Sequence, residues 1–279
     1  MSPKLKNLVV RAITGIFYVA IMVVSFMRPM AMMFLFTLIT GMAIWEFCGL
    51  VNEREKVNVN RFICSAAGVF LSLAMAGFCS GLTTAVVFIP YLITIIYLFV
   101  SELYLKQEDA INDWAYSMMS QLYIALPFAT INILAYYKGE FYYLLPLSVF
   151  IFLWCSDTGA YLSGSLFGKH KLFPRISPAK SWEGSIGGAI LVLLVSVLIW
   201  YIEPNNASGL NIFEWMGLGL VVVFFGTWGD LVESLFKRTI GIKDSGNILP
   251  GHGGMLDRFD SSLLAIPAAV IYIYTLSMI

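Results

Sequence analysis

The chain has 279 residues, of which 59% are hydrophobic and only 12% charged, with Lys plus Arg and Asp plus Glu balanced at 17 each. A soluble domain carries roughly a quarter charged residues, so the deficit excludes an ordinary water-solvated globule and makes lipid the solvent for much of the surface. The balanced bulk charge says nothing about nucleic acid, so the placement of the charges matters more, and no nucleic-acid partner is expected.

A membrane-crossing helix needs about 20 mainly apolar residues. Nine such stretches follow one another at 8–27, 30–51, 62–80, 84–103, 113–136, 141–167, 184–202, 211–236 and 261–278. The first has a signal-peptide-like basic start (Lys4, Lys6, Arg11). No small-residue cleavage site follows it, however, and the next apolar stretch begins at once after Arg28-Pro29, so it is expected to be a retained helix. The second ends near Glu46, an acid inside an otherwise apolar span. An interfacial position, a base partner from a neighbouring helix and a functional role are all open for it. The segments 52–61 and 101–112 are polar connectors.

With the N-terminus in the cytoplasm, the inner segments hold Lys4, Lys6, Arg11, Arg54, Lys56, Arg61, Lys106, Lys169, Lys171, Arg175, Lys180, Lys237, Arg238, Lys243 and Arg258, leaving only Arg28 and Lys138 outside. Cytoplasmic loops carry the excess of Lys and Arg. The expectation is therefore an all-α polytopic integral membrane protein of about nine transmembrane helices, N-terminus cytoplasmic and C-terminus outside. Residues 1–110 read as scaffold helices. Residues 111–279 read as a catalytic region with cytoplasmic loops 168–183 and 237–260. Cys48, Cys64, Cys79 and Cys155 lack metal-ligand spacing and read as small apolar packing residues. Asn206-Ala207-Ser208 matches a glycosylation sequon too short to carry weight.

The polar residues of the second half carry the chemistry. Asp157 stands in Ser156-Asp157-Thr158-Gly159-Ala160-Tyr161, above a face of small residues that lets a partner helix approach. Asp230 follows Gly226-Thr227-Trp228-Gly229 within an apolar stretch, where an isolated carboxylate is costly. Asp230, Glu233, Ser234, Lys237 and Arg238 share one helical face by spacing. Lys180, Ser181 and Glu183 directly precede or open a helix, where free N–H groups favour anions. Lys169 and Lys171 suit lipid head groups as well as substrate. The loop from Lys237 to Asp260 alternates Lys237, Arg238, Lys243 and Arg258 with Asp244, Asp257 and Asp260 around Gly251, His252, Gly253 and Gly254. Basic side chains suit phosphate oxygens and carboxylates suit Mg²⁺, so the loop has the make-up of a site for a metal-bound polyphosphate.

The run Ser234-Leu-Phe-Lys237-Arg238 through Lys243-Asp244, Gly246, Leu249-Pro250-Gly251-His252-Gly253-Gly254-Met255 and Asp257-Arg258-Phe259-Asp260 resembles the signature of the phosphatidate cytidylyltransferases, or CDP-diacylglycerol synthases. Asp157-Thr-Gly-Ala-Tyr161 and Ile176-Ser-Pro-Ala-Lys180-Ser-Trp-Glu183-Gly184 resemble the same family, although its members usually carry Lys where this chain has Ala179. The resemblance implies transfer of the cytidylyl group of CTP to phosphatidate, giving CDP-diacylglycerol and pyrophosphate. It implies Mg²⁺, with a second cation left open. Asp230 and Asp257 would be the leading metal ligands, with Asp157 contributing. Lys180, Lys237, Arg238, Lys243 and Arg258 would neutralise phosphates. Ser181 and Glu183 would line the substrate site, and His252 would bind phosphate or assist proton movement. Asp244 and Asp260 would orient basic groups or substrate. Expected partners are CTP, phosphatidate and the bilayer, and the apolar body is compatible with a homodimer. The implied location is a bacterial-type cytoplasmic (inner) membrane with the site on its cytoplasmic side. A CTP-dependent lipid-alcohol kinase is the nearest rival reading. A transporter fits poorly, because the charges gather at one face and no internal repeat is evident.

Overall fold

A computed structural model describes residues 3–105, 108–246, 248 and 253–278, with side chains from residue 13 onward except Pro204. Helix α1 spans Pro3–Phe26, α2 Pro29–Val51, α3 Arg61–Cys79, α4 Ile89–Leu105, α5 Ala110–Met119, α6 Leu126–Ala135 and α7 Leu144–Phe167. A short hairpin of β1 (Lys171–Phe173) and β2 (Ser177–Ser181) follows, then α8 (Trp182–Ile202), α9 (Ile212–Ile240), α10 (Leu256–Phe259) and α11 (Ser262–Leu276). Eight helices among the described residues are long and apolar enough to cross a membrane. Helix α1 has 24 residues, about 36 Å at the α-helical rise, and its segment Ile13–Phe26 is apolar as well. The protein is thus an all-α polytopic membrane protein, and each of the nine expected spans corresponds to one helical run.

Local chemistry sets the helix ends. Pro29 opens α2, where its missing N–H costs nothing. Asn60 caps α3 by accepting from Ile63 N at 3.0 Å, and Asp109 caps α5 by accepting from Asn112 N at 3.2 Å. The run from Ala110 to Ala135 widens into a π-helical turn over Ser120–Ala125, just before Pro127, which cannot donate within the helix.

The chain packs as two compact units: 1–143 with 240–259, and 144–239 with 260–279. This division follows packing and is a separate matter from the functional one drawn at residue 110. In the first unit, a relay of aromatic edges runs from Phe26 to Phe36 (5.5 Å between centroids), Phe128 (6.3 Å) and Phe259 (5.6 Å). Tyr18 meets Phe259 from α1 at 5.8 Å. Such tilted and edge-on pairs favour definite geometry as well as apolar burial. They seat the end of the signature loop in the core of this unit. Helix α4 buries Leu98 alone, so nearly all of its apolar surface is available to lipid.

In the second unit, α7 and α8 approach through glycine and serine. A Cβ at Gly188 would lie 2.7 Å from the Ser156 carbonyl oxygen, and one at Gly159 would lie 2.9 Å from Gly188 Cα. Ser163 Oγ donates to Gly159 O at 2.7 Å and to Gly184 O at 3.3 Å. Close backbone approach replaces the hydrophobic drive that lipid cannot supply. Trp215, fully buried, packs edge-on to Phe152 and donates from Nε1 to Glu203 at 3.1 Å.

Gly188→Val should force α7 and α8 apart and cost about 1–3 kcal/mol, the usual range for overpacking. A lowered midpoint of thermal unfolding in detergent checks this, and a midpoint equal to that of the unsubstituted protein would refute it.

Candidate active site

The second unit gathers the acid and base groups along α9. Asp230 and Lys180 form an ion pair at 2.6 Å, both about three-quarters buried. Lys180 Nζ also lies 3.4 Å from the Thr227 carbonyl oxygen, to which it donates. Ser234 Oγ donates to Asp230 Oδ1 at 3.1 Å, one turn along the helix. Glu233 pairs with Lys237 at 2.5 Å, and Glu233 is 0% exposed. A buried carboxylate needs such a partner, because desolvation alone would disfavour its charge. The face expected from spacing is therefore formed, with Arg238 exposed at its end.

The glycines before Asp230 have a specific use. A Cβ at Gly229 would come 2.7 Å from Asp260 O and 2.9 Å from Ser261 O, and one at Gly226 would collide with Leu153. Only a bare backbone lets the Asp260-Ser261 turn lie against α9. The Asp260 carboxyl consequently feels the charges of Asp230, Lys237 and Asp157. Asp157, exposed on α7, lines an open cleft of about 230 Å³ with Tyr161, Lys180, Thr227 and Ser261. That is several waters' worth of space, so a solute can reach Asp157 and Lys180.

The hairpin β1–β2 brings Lys180 to this cleft and was not expected in the 168–183 loop. Ser181 caps α8, accepting from Gly184 N at 3.2 Å. Glu183 accepts from the backbone N–H groups of Lys169 and His170, each at 3.2 Å, and contacts His170 Nδ1 at 2.6 Å. Both residues, expected to touch substrate, are thus engaged in holding the hairpin on the helix. Lys169 and Lys171 are exposed.

In the first unit, Asp257 is 9% exposed and opens α10. Its Oδ2 accepts from Ser245 N and Gly254 N, each at 2.8 Å. Gly253 has φ +83°, a conformation that favours glycine, and a Cβ there would run into the Asp257 carboxyl. Lys243, Asp244 and Arg258 are exposed. His252 and Gly251 lie outside the described residues. Glu46 is the residue that sequence reasoning left open. It is 8% exposed and accepts from Ser245 Oγ, from Met255 N at 2.8 Å and from Leu256 N at 3.2 Å. Its partners among the described residues are loop donors. The only signal in the sequence was an acid at the end of an otherwise apolar helix, and nothing pointed to donors about 200 positions away.

The carboxylates of Asp157, Asp230, Asp257 and Asp260 are hard oxygen donors. Among the described residues, no three His, Cys, Asp or Glu side chains form a metal cage by themselves. That combination suits Mg²⁺, which takes one or two carboxylates and completes its shell with water and substrate phosphate. It does not suit a structural Zn²⁺ site.

The chain matches the cytidylyltransferase family over residues 9–276. It is 38% identical over 224 residues to the phosphatidate cytidylyltransferase of Staphylococcus haemolyticus, covering 78% of this chain and 84% of that one. It is 35% identical over 242 residues to the phosphatidate cytidylyltransferase of Haemophilus influenzae, covering 81% and 84%. The match to the enzyme of that name from Staphylococcus aureus is 43% over 165 residues, covering 58% of this chain and 60% of the relative. The family match takes in the helices, the acid-base face of α9 and the loop around Asp257, and the chain belongs to the cytidylyltransferase family.

Proposed function

We propose that this protein transfers the cytidylyl group of CTP to phosphatidate, releasing pyrophosphate and leaving CDP-diacylglycerol in the membrane. The family and the names of the relatives support the reaction. The observation that carries it to particular residues is the part-buried Asp230–Lys180 pair, beside Asp260 and at a cleft lined by Asp157.

In the reaction, a phosphate oxygen of phosphatidate attacks the α-phosphorus of CTP. The bond from that phosphorus to the oxygen bridging the β-phosphate breaks, and pyrophosphate leaves with the bonding electron pair. A phosphomonoester is already anionic at neutral pH, so no strong base is required. Repulsion between two anions is the first barrier, and such transfers are catalysed chiefly by positioning and charge neutralisation. Mg²⁺ would supply the charge that draws the reacting oxygens together. Asp230 and Asp257 are its leading ligands in this reading, with Asp157 contributing and a second cation left open. Asp260, held against α9 by the bare Gly229, orients Lys237 and shapes the field around Asp230. Lys180 holds Asp230 in place and presents its ammonium to phosphate. Lys237, Arg238, Lys243 and Arg258 offset further phosphate charge, and Asp244 orients a neighbouring base. His252 binds phosphate or moves a proton. Ser181 and Glu183 act by fixing the hairpin that carries Lys180.

The excess of basic residues in one set of loops supports an N-terminus in the cytoplasm, a C-terminus outside, and a site on the cytoplasmic side of a bacterial inner membrane. That side meets soluble CTP and membrane phosphatidate together. The functional weight falls on residues 111–279, with 1–110 as scaffold apart from Glu46. The apolar body also suits a homodimer in the bilayer.

CTP labelled at the α-phosphate should pass its label into the lipid, and label at the γ-phosphate should appear only in pyrophosphate. Lipid carrying γ-label alone would identify a lipid-alcohol kinase and refute the proposal. Asp230→Asn and Asp257→Asn should each lower kcat by about 100-fold or more, as loss of several kcal/mol of charge stabilisation demands. Turnover near that of the unsubstituted enzyme at saturating Mg²⁺, in protein that still elutes as a folded species in detergent, would remove that residue from the ligand set.

A further inference from the structure

Glu46 is the only charged residue in α2, and its carboxylate is the hub of a closed set of hydrogen bonds. Oε1 accepts from Ser245 Oγ and from Leu256 N, and Oε2 accepts from Met255 N. Ser245 Oγ in turn accepts from Asp257 N at 3.3 Å. Asp257 Oδ2 closes the ring by accepting from Ser245 N and Gly254 N. Two glycines of the signature loop make the closure possible. A Cβ at Gly246 would lie 3.0 Å from the Glu46 carboxyl, and one at Gly254 would overlap it. The loop backbone is therefore moulded on this one side chain, and the position of Asp257 follows from it through Ser245.

We propose that Glu46 is a positioning residue that sets Asp257 for a divalent cation, acting through Ser245 and the backbone N–H groups of Met255 and Leu256. The proposal rests on the reading of Asp257 as a metal ligand. Glu46 meets donors at both oxygens, which only a carboxylate satisfies. The amide of Gln would turn an NH₂ group toward Ser245 Oγ or a backbone N–H, setting donor against donor. The shape would be kept and the loop displaced.

The test uses the full chain in detergent, with Mn²⁺ as the probe and binding followed by electron paramagnetic resonance without turnover. Glu46→Gln should weaken Mn²⁺ binding by about 10-fold or more, the usual effect of losing a group that orients a metal ligand. It should raise the Mg²⁺ needed for half-maximal activity by a similar factor. Glu46→Asp, which keeps the charge, should recover part of both. Ser245→Ala, which removes the hydroxyl that joins Glu46 to Asp257 N, should shift both in the same direction and carries the test if Glu46→Gln does not fold. A purely structural role would lower the unfolding midpoint while leaving Mn²⁺ affinity and the Mg²⁺ requirement unchanged, and that result in both Glu46→Gln and Ser245→Ala would overturn the proposal. Asp257→Asn, measured alongside, separates the two readings. Unaltered Mn²⁺ binding there removes Asp257 as a ligand, and with it the positioning role. Loss in Asp257→Asn with none in Glu46→Gln or Ser245→Ala overturns the positioning role alone.

Discussion

A carboxylate carried on a membrane-spanning helix has no water to solvate it, and the polar part of this structure is organised around that constraint. Four acids in these helices or at their ends show how that cost is offset, and the kind of compensation differs. Asp230 has an ammonium group, Lys180, at 2.6 Å. Glu233 has Lys237 one turn along its own helix. Glu46 takes a hydroxyl and two backbone N–H groups among the described residues. Glu203 takes Trp215 Nε1 and Ser208 N. An isolated charge at membrane depth costs several kcal/mol on any scale, so each of these arrangements also fixes a piece of the chain. Lys180 brings the hairpin to α9, and Glu46 brings the signature loop to α2.

Compensation of this kind requires backbones to come closer than side chains usually allow. Gly229 admits the Asp260-Ser261 turn beside Asp230, while Gly246 and Gly254 admit the loop backbone beside Glu46. Gly159 and Gly188 bring α7 against α8, which sets Asp157 at the rim of the cleft. Gly226 and Gly229 in GTWGD, and Gly246, Gly253 and Gly254 in the loop, are thus largely steric, each lying where a Cβ would meet an oxygen or a neighbouring side chain. Their role in the chemistry is indirect: they decide where the acids and bases stand.

The spans were legible because hydropathy over about 20 residues is a strong, local signal, and the polar face of α9 was legible because helical spacing is regular. Long-range pairing was not. Nothing in Glu46, in a run of apolar residues, distinguishes an interfacial acid from one that holds a loop nearly the whole chain away. The hairpin escaped notice because its strands have three and five residues, include Pro178, and show no apolar alternation. Ser181 and Glu183 drew attention as polar groups at a helix start, which is correct. At such a start a Ser is as well suited to capping as to ligand binding, and the structure uses it for the cap. Asp260 stood below Asp230 because an acid among Lys and Arg can serve only to orient them. Its proximity to Asp230 depends on the close approach at Gly229, a tertiary fact.

The charge inventory of the second unit bears on why a cation belongs in the proposed reaction. Asp157, Asp230 and Asp260 act on a common region with Lys180 and Lys237, while Glu233 already consumes much of the Lys237 charge. The local balance is acidic, and an acidic cleft repels a triphosphate. Bases alone could have reversed that sign, as they do in sites that bind phosphate without metal. Acids kept here, at the desolvation cost that lipid imposes, make sense if a divalent ion arrives with the nucleotide and turns the same carboxylates from a barrier into an anchor. Selectivity then follows from charge. The cleft would disfavour phosphatidate or CTP alone and favour the nucleotide that carries its metal, which orders binding before any contact with the cytosine base.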